Sequence, residues 1–313
     1  MALGLAVAVV AYTLWVLWAD VEGLRAAWAR LPAHLLVASC CLSFANYIVR
    51  FARWQLYLRW LGLSLPARAS FRIHLAGLAL TVSPGKMGEA VKSWLLLRRT
   101  GAPVATTAPI VVAERATDLL GFLVLLAACG AGAVDGAEWI AWTTSALVAL
   151  LLVALWCRPL QEAVLERAAR RPALAGAAVA LRGSLEASRT LLSPARLALP
   201  TLLAAAGWSL ECLGFHLLAS TFAPLELAQT TAIFALGALA GAVAFVAPGG
   251  VGVTEASMTA LLGHRYAALG VAGASGAAAA ATLAARLCTL WFAVAIGWIA
   301  LALERRASSA GRA

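Results

Sequence analysis

Residues 104–130 read VATTAPIVVAERATDLLGFLVLLAACG, a long apolar run that contains Glu114, Arg115 and Asp118. About 20 predominantly apolar residues are enough for a helix to cross a bilayer, and this run exceeds that length. An ionisable side chain at the centre of such a helix costs about 2.5–3.5 kcal/mol on insertion scales, so it persists where it is paired or lines a polar pathway. The stretch therefore predicts a membrane-spanning helix whose charged side chains face other parts of the protein.

Similar runs recur along the chain. They lie at about 2–19, 34–60, 138–157, 197–222, 227–247 and 270–303, with a shorter one at 70–83. Of the 313 residues, 63% are apolar and only 12% are charged, whereas a soluble domain carries about 25% charged residues. This composition excludes an ordinary cytosolic enzyme, a disordered protein and a secreted disulfide scaffold, and it predicts an all-α polytopic integral membrane protein. We expect the first run to be a retained helix rather than a signal peptide, because no basic residue precedes it.

Two Pro-Gly segments and the basic residues predict the topology. If Pro84-Gly85 and Pro248-Gly249 are tips of re-entrant hairpins, about six full spans remain, with 15 basic residues on one side and three on the other. The positive-inside rule then places both termini in the cytoplasm, at the bacterial inner membrane. The polar stretch 158–196 falls on the same side and predicts an amphipathic segment on the membrane face. Since the basic residues lie mainly between apolar runs, the net charge of +10 does not predict nucleic-acid binding.

The two Pro-Gly segments resemble each other. The first reads SPGKMGE at 83–89 and the second APGGVGVTE at 247–255. The predicted hairpin tips comprise Pro84, Gly85, Gly88, Pro248, Gly249, Gly250 and Gly252. In this topology the hairpins enter from opposite sides, which predicts an inverted repeat of the kind found in secondary transporters. The single domain, 1–313, then has repeat-like halves at about 34–130 and 197–303; the alternative is that both breaks are ordinary loops.

Basic residues within the apolar runs are candidates for binding a lipid phosphate. Lys86, Glu89 and Lys92 are spaced three apart, so a helix would place them roughly on one face. A helix that starts after Pro-Gly also presents free N–H groups to an anion. Arg50 and Arg53 are three apart as well and suit a bidentate contact to phosphate. The alternatives are a hairpin stabilised by Lys–Glu pairing and interfacial arginines that reach the headgroups.

The remaining charged residues in the apolar runs are predicted to pair ions or carry protons. They are Glu114, Arg115, Asp118, Glu211 and Glu255. Arg286 is the counterpart of Arg115 in the second repeat and is a further candidate for substrate binding. A purely structural network of salt bridges is the alternative for all of them.

Neutral polar residues give no sign of a metal or cofactor. Asn46 and Tyr47 are expected to supply hydrogen bonds near Arg50, while His74 and His216 have no partner at metal-ligand spacing. All six cysteines lie in or beside apolar runs, and none forms a C-x-x-C pair, so we expect them to be small buried apolar residues. We therefore predict no metal site and no cofactor.

Four motifs in order point to a known family. They are Asn46-Tyr47-x-x-Arg50-x-x-Arg53-Trp54, SPGKMGE, Glu114-Arg115-x-x-Asp118 and PGGVGVTE. Together they resemble the lysylphosphatidylglycerol synthase transmembrane-region family, the flippase-like domain that precedes the aminoacyl-transferase domain in the bacterial multiple peptide resistance factor. No such transferase domain follows Arg306 in this sequence, so we expect a stand-alone member without the synthase activity.

The resemblance, the repeat and the buried charges together favour a flippase. A cationic cavity would hold the headgroup of an anionic phospholipid, aminoacyl-phospholipid, glycolipid or polyprenyl-phosphate carrier while its tails stay in the bilayer. One alternative is an intramembrane lipid-phosphate enzyme that uses Ser83 near Lys86, although H-E-x-x-H and G-x-S-x-G motifs are absent from the sequence. Another is a scaffold that gathers envelope lipid-synthesis enzymes on the 158–196 segment. We expect a transporter rather than an enzyme.

Overall fold

A computed structural model of the chain describes residues 21–83, 91–129, 138–170, 175–243 and 250–310. Within these ranges the chain is helical and contains no β-strand. Several predicted features lie outside them: the first apolar run, Lys86 and Glu89, and five of the seven predicted hairpin-tip residues. Those five are Pro84, Gly85, Gly88, Pro248 and Gly249.

Proline and glycine divide the first half into helices at or near the expected limits. The helices are α1 (Val21–Trp28), α2 (Ala33–Trp60), α3 (Ala67–Ala76), a 3₁₀ turn (Gly77–Leu80), α4 (Val91–Thr100), α5 (Val104–Thr107), α6 (Pro109–Cys129) and α7 (Glu138–Trp156). Pro32, Pro66 and Pro103 immediately precede α2, α3 and α5. Proline is well placed there because its missing N–H would have no partner in the first turn of a helix.

The second half repeats the pattern of long apolar helices. Its elements are α8 (Arg158–Ala169), α9 (Ala175–Leu191), α10 (Pro194–Ala219), α11 (Leu227–Val243), α12 (Val253–Ala268), α13 (Ala274–Arg286), a π-helical turn (Leu287–Trp291) and α14 (Phe292–Ala310). Two helices, α8 and α9, cover most of the predicted amphipathic segment. The π-helical turn connects α13 to α14 without a break, so the run at 270–303 becomes one continuous helix with a local bulge.

Three helices of the described part are long and apolar enough to cross a membrane. They are Ala33–Trp60, Pro194–Ala219 and Ala274–Arg306. A fourth is added if Trp142–Trp156 and Gln161–Arg167, which meet at 67°, count as one broken span. These helices support a multi-pass helical membrane protein; the count of six spans and the inverted repeat stay predictions.

Small residues allow α10 to pack closely along α2. A Cβ atom added at Gly207 would overlap Oδ1 of Asn46, and one at Gly214 would lie 3.4 Å from the Cβ of Ser39. The Ser39 hydroxyl donates a hydrogen bond to the Gly214 carbonyl across the same contact, at 3.2 Å. Close approach at small residues, supported by interhelical hydrogen bonds, is the usual way in which helices associate in a bilayer.

Two apolar cores flank the polar centre of the protein. One packs α1, α10, α11, α12 and α13 around Phe215 and Phe234, and the other packs α2, α3, α4 and α14 around Trp54 and Tyr57. Helix α6 contributes to both cores, with Phe122 in the first and Ile110 in the second. The charged residues of α6 therefore lie where the two cores meet.

Candidate functional site

Asp118 on α6 binds three arginines. Its carboxylate oxygens lie 2.8 Å from Nη2 of Arg53, 3.1 Å from Nη2 of Arg115 and 3.7 Å from Nη2 of Arg50. Arg50 and Arg53 reach it from the same side of α2 because they are three residues apart, and Arg115 lies one helical turn before it on α6. The structure thus brings together four of the charged residues that the sequence singled out.

The two arginines of α2 have different surroundings. Arg53 is fully buried, and its Nη1 donates a hydrogen bond to Oγ1 of Thr117 at 3.0 Å. It holds α2 against α6 and does not line the central cavity described below. Arg50 reaches that cavity, with its guanidinium carbon 5.5 Å from the centre of the Trp208 ring, where cation–π attraction favours the charge. Of the two, only Arg50 is placed to meet a ligand in the cavity.

Lys92 and Glu114 form a buried ion pair between α4 and α6. The ammonium group also lies 5.0 Å from the centre of the Trp54 ring. The side chain of Lys92 crosses close over Gly77, where an added Cβ atom would lie 2.6 Å from Lys92 Cδ. Lys92 is therefore part of the packing between α4 and the 3₁₀ turn; its predicted neighbours Lys86 and Glu89 lie outside the described residues.

Glu255 holds Arg286 in place from behind. Its Oε1 accepts a hydrogen bond from Nε of Arg286 at 2.6 Å, and its Oε2 accepts one from the backbone N–H of Gly252 at 2.6 Å. The chain can turn sharply into α12 here because Gly250 and Gly252 have φ angles of 70° and 90°, which favour glycine. These two glycines are the predicted hairpin-tip residues that the structure describes, and the turn fixes the Glu255 carboxylate beside the arginine.

Glu211 is the acidic group that α10 presents to the centre. Its Oε1 accepts a hydrogen bond from Nδ2 of Asn46 at 2.6 Å. Asn46 is fully buried, and Gly207 leaves the space for its amide. The close contact between α2 and α10 thus orients the carboxylate.

A cavity of about 280 Å³ lies among these groups. Its charged lining consists of Arg50, Arg115, Asp118, Glu211 and Arg286. Residues with neutral polar groups also line the cavity: Tyr47, Thr81, Trp208, Thr254 and Thr289. With three guanidinium groups and two carboxylates, the described lining has a formal net charge of +1. Phe122 and Phe234 form part of its apolar wall. Apolar walls with a few convergent polar groups are typical of a ligand pocket, and this one suits an anionic group attached to an apolar body.

Comparison with known families agrees with the motifs. The family model described as lysylphosphatidylglycerol synthase TM region matches residues 1–297. The chain belongs to the lysylphosphatidylglycerol synthase TM region family. A comparison with curated proteins finds no match. Membership in the lysylphosphatidylglycerol synthase TM region family confirms the resemblance and associates the chain with lipid-related processes in membranes.

In this member of the family, the predicted site residues fall into two groups. Arg50, Arg115, Asp118, Glu211 and Arg286 line the cavity. Arg53, Lys92, Glu114 and Glu255 lie behind them in buried ion pairs. Ion pairs occur in both groups, but only the first group lines the cavity. The substrate hypothesis therefore rests on Arg50, Arg286 and, in addition, Arg115.

The sequence analysis missed the aromatic part of the pocket. Trp208, Phe122 and Phe234 line the cavity, but in the sequence they look like any other aromatic residue of an apolar run. Trp208 alone carried a usable signal, since it lies three residues before Glu211 on α10 and shares its helix face.

Proposed function

We propose that the protein moves lipids with an anionic headgroup across the bacterial inner membrane and that the central cavity binds the headgroup. This proposal is supported mainly by three arginines from three different helices that line one cavity with apolar walls: Arg50, Arg115 and Arg286. Charged side chains are expensive within a bilayer, so a cluster that faces a cavity is best explained by a charged ligand. The protein acts as a transporter, not as an enzyme.

Two carboxylates, one in the cavity lining and one behind it, hold the arginines in position. Asp118 holds Arg50 and Arg115, and Glu255 holds Arg286 through Nε. Guanidinium groups bind phosphate oxygens with parallel N–H donors, and an arginine that is already positioned loses less side-chain entropy on binding. In this account the phosphate binds between the arginines while the acyl or polyprenyl chains stay in the bilayer.

Alternating exposure of the cavity follows from the predicted inverted repeat. Helix α12 begins at a glycine-rich break and ends short of a full span, with 16 residues, and discontinuous helices of this kind form substrate sites in secondary transporters. Rocking of one repeat against the other would expose the cavity first to one side and then to the other. Both termini lie in the cytoplasm in this arrangement.

The test is lipid movement in proteoliposomes. Phosphatidylglycerol and a polyprenyl phosphate, each labelled with a quenchable fluorophore on its tail, report their transfer between leaflets when a quencher is added outside. We expect at least one of them to move faster than in empty vesicles, and Arg50→Gln to slow it by about tenfold or more, since a hydrogen bond to a charged group contributes about 1.5–3 kcal/mol. Asp118 keeps Arg53 and Arg115 in that variant, so its fold should survive.

The matched control is Arg59→Gln, the same change at an exposed position of α2. It should leave the rate unaltered. Equal rates in the Arg50 and Arg59 variants, or no movement above that in empty vesicles for either lipid, would contradict the proposal.

A further inference from the structure

The charged groups at the cavity and directly behind it do not cancel. Among the described residues the cations there are Arg50, Arg53, Lys92, Arg115 and Arg286, and the anions are Glu114, Asp118, Glu211 and Glu255. The formal balance is +1, as it is for the cavity lining alone.

Glu211 contributes one negative charge to this balance from the cavity wall. The carboxylates of Glu114, Asp118 and Glu255 lie against lysine or arginine and fix those cations in place. Glu211 accepts a hydrogen bond from the neutral amide of Asn46. When Glu211 is replaced, Arg53, Lys92 and Arg286 keep their own carboxylate partners. Without the charge of Glu211 the lining would carry +2 instead of +1.

The balance has a consequence for the ligand. A buried net charge is costly, so the cavity is most stable with a ligand whose charge cancels that of the lining. A phosphodiester carries one negative charge. A phosphomonoester carries about −1.5 to −2 near neutral pH, because its second pKa is about 6.

We propose that Glu211 sets the charge of the headgroup that the cavity accepts, so that phosphodiester lipids are bound in preference to phosphomonoester lipids. This inference rests on the proposed function, because it assumes that the cavity binds a lipid phosphate. It makes Glu211 a residue that determines specificity, and it narrows the substrate class to lipids with one negative charge on the headgroup phosphate.

The experiment compares two lipids that differ by a single methyl ester. Phosphatidylmethanol and phosphatidic acid, with the same fluorescent acyl chain, are titrated with purified protein in detergent micelles at about pH 8, where phosphatidic acid approaches two negative charges. Fluorescence anisotropy gives both dissociation constants. The native protein should bind phosphatidylmethanol about tenfold or more tightly than phosphatidic acid.

Two variants raise the charge of the cavity by different routes. Glu211→Gln removes a negative charge, and Ala242→Lys adds a positive one at an exposed residue of the lining. Each should shift the ratio of the two dissociation constants toward phosphatidic acid by about tenfold. The control is Glu226→Gln, at an exposed residue just before α11, which should keep the native ratio.

The possible outcomes separate the role of Glu211 from the proposal that the cavity binds a lipid. Equal affinity of the native protein for the two lipids overturns the role of Glu211 while leaving the lipid-binding cavity intact. An unchanged ratio of the two dissociation constants in both charge variants also overturns the role of Glu211. Ala242→Lys still tests the effect of the cavity charge if Glu211→Gln fails to fold. Absence of binding of both lipids to the native protein overturns this inference together with the proposed function.

Discussion

Replacing Asp118 by asparagine is expected to destabilise the protein more than any other removal of a single charge in the described core. The change preserves the shape of the side chain, but it leaves Arg53, Arg115 and Arg50 without the carboxylate that lies 2.8–3.7 Å from them. The asparagine amide would also direct N–H donors toward guanidinium groups, which are themselves only donors. Three like charges would then repel one another in a buried site.

The magnitude follows from burial. Breaking a buried ion pair costs about 3–5 kcal/mol, and we expect the upper part of this range because three partners lose their shared counter-charge. Glu304 provides the comparison: it also pairs with two arginines, Arg72 at 3.0 Å and Arg99 at 2.6 Å, but each of their side chains is 33% exposed. Solvent can stabilise those arginines, so Glu304→Gln should cost about 1 kcal/mol or less.

The assay is unfolding in mixed micelles with increasing dodecyl sulfate, followed by circular dichroism. The double variant Asp118→Asn with Arg115→Gln restores the balance of charges and should recover part of the lost free energy. A cost for Asp118→Asn no larger than that for Glu304→Gln would refute the idea that Asp118 is the central counter-charge.

Three further predictions concern the packing around the site. Lys92→Met should lower the free energy of unfolding by about 3–5 kcal/mol because it leaves the buried Glu114 carboxylate unpaired. Adding Glu114→Gln should recover most of this loss in the same assay. No recovery would contradict the pairing of Lys92 with Glu114. Gly297→Ala should cost about 1–3 kcal/mol of unfolding free energy because its methyl group would overlap the backbone of the 3₁₀ turn. The control Gly263→Ala, with 3.7 Å to its nearest neighbour, should be neutral or stabilising by up to about 1 kcal/mol. Equal thermal midpoints for the two variants would argue against the contact between α14 and the 3₁₀ turn. Tyr47→Phe removes a 3.1 Å hydrogen bond to a carbonyl of the π-helical turn and should cost about 1 kcal/mol of unfolding free energy, and an unchanged value would show that the bond does not stabilise the turn.

The helices were predictable because their signals are local. The length of the apolar runs predicted α2, α10 and the continuous run through α13 and α14. Spacing of three and four residues also indicated which charges share a helix face, as for Arg115 and Asp118. These features depend on the backbone and on neighbouring residues alone.

The choice of partners was not predictable in the same way. Spacing placed Lys92 on one helix face with Lys86 and Glu89, but it gave no sign of the ion pair that Lys92 forms with Glu114 on another helix. Which arginine of α2 reaches the cavity depends on how that helix is rotated against α10, and this is fixed by the close contact at Gly207. Such contacts are set by the packing of distant segments, so spacing along one helix cannot specify them.

Binding of a lipid headgroup in the central cavity can be tested by identifying the residues that touch a bound headgroup. A phosphodiester lipid with a photoreactive group on its headgroup is bound to the protein in micelles and activated, and the labelled peptides are identified by mass spectrometry. Labels are expected on residues that line the cavity, such as Trp208 and Phe122, and they should be lost when unlabelled phosphatidylglycerol is in excess. Labelling confined to outward-facing residues of α7, such as Trp142 and Val153, would contradict headgroup binding in the central cavity.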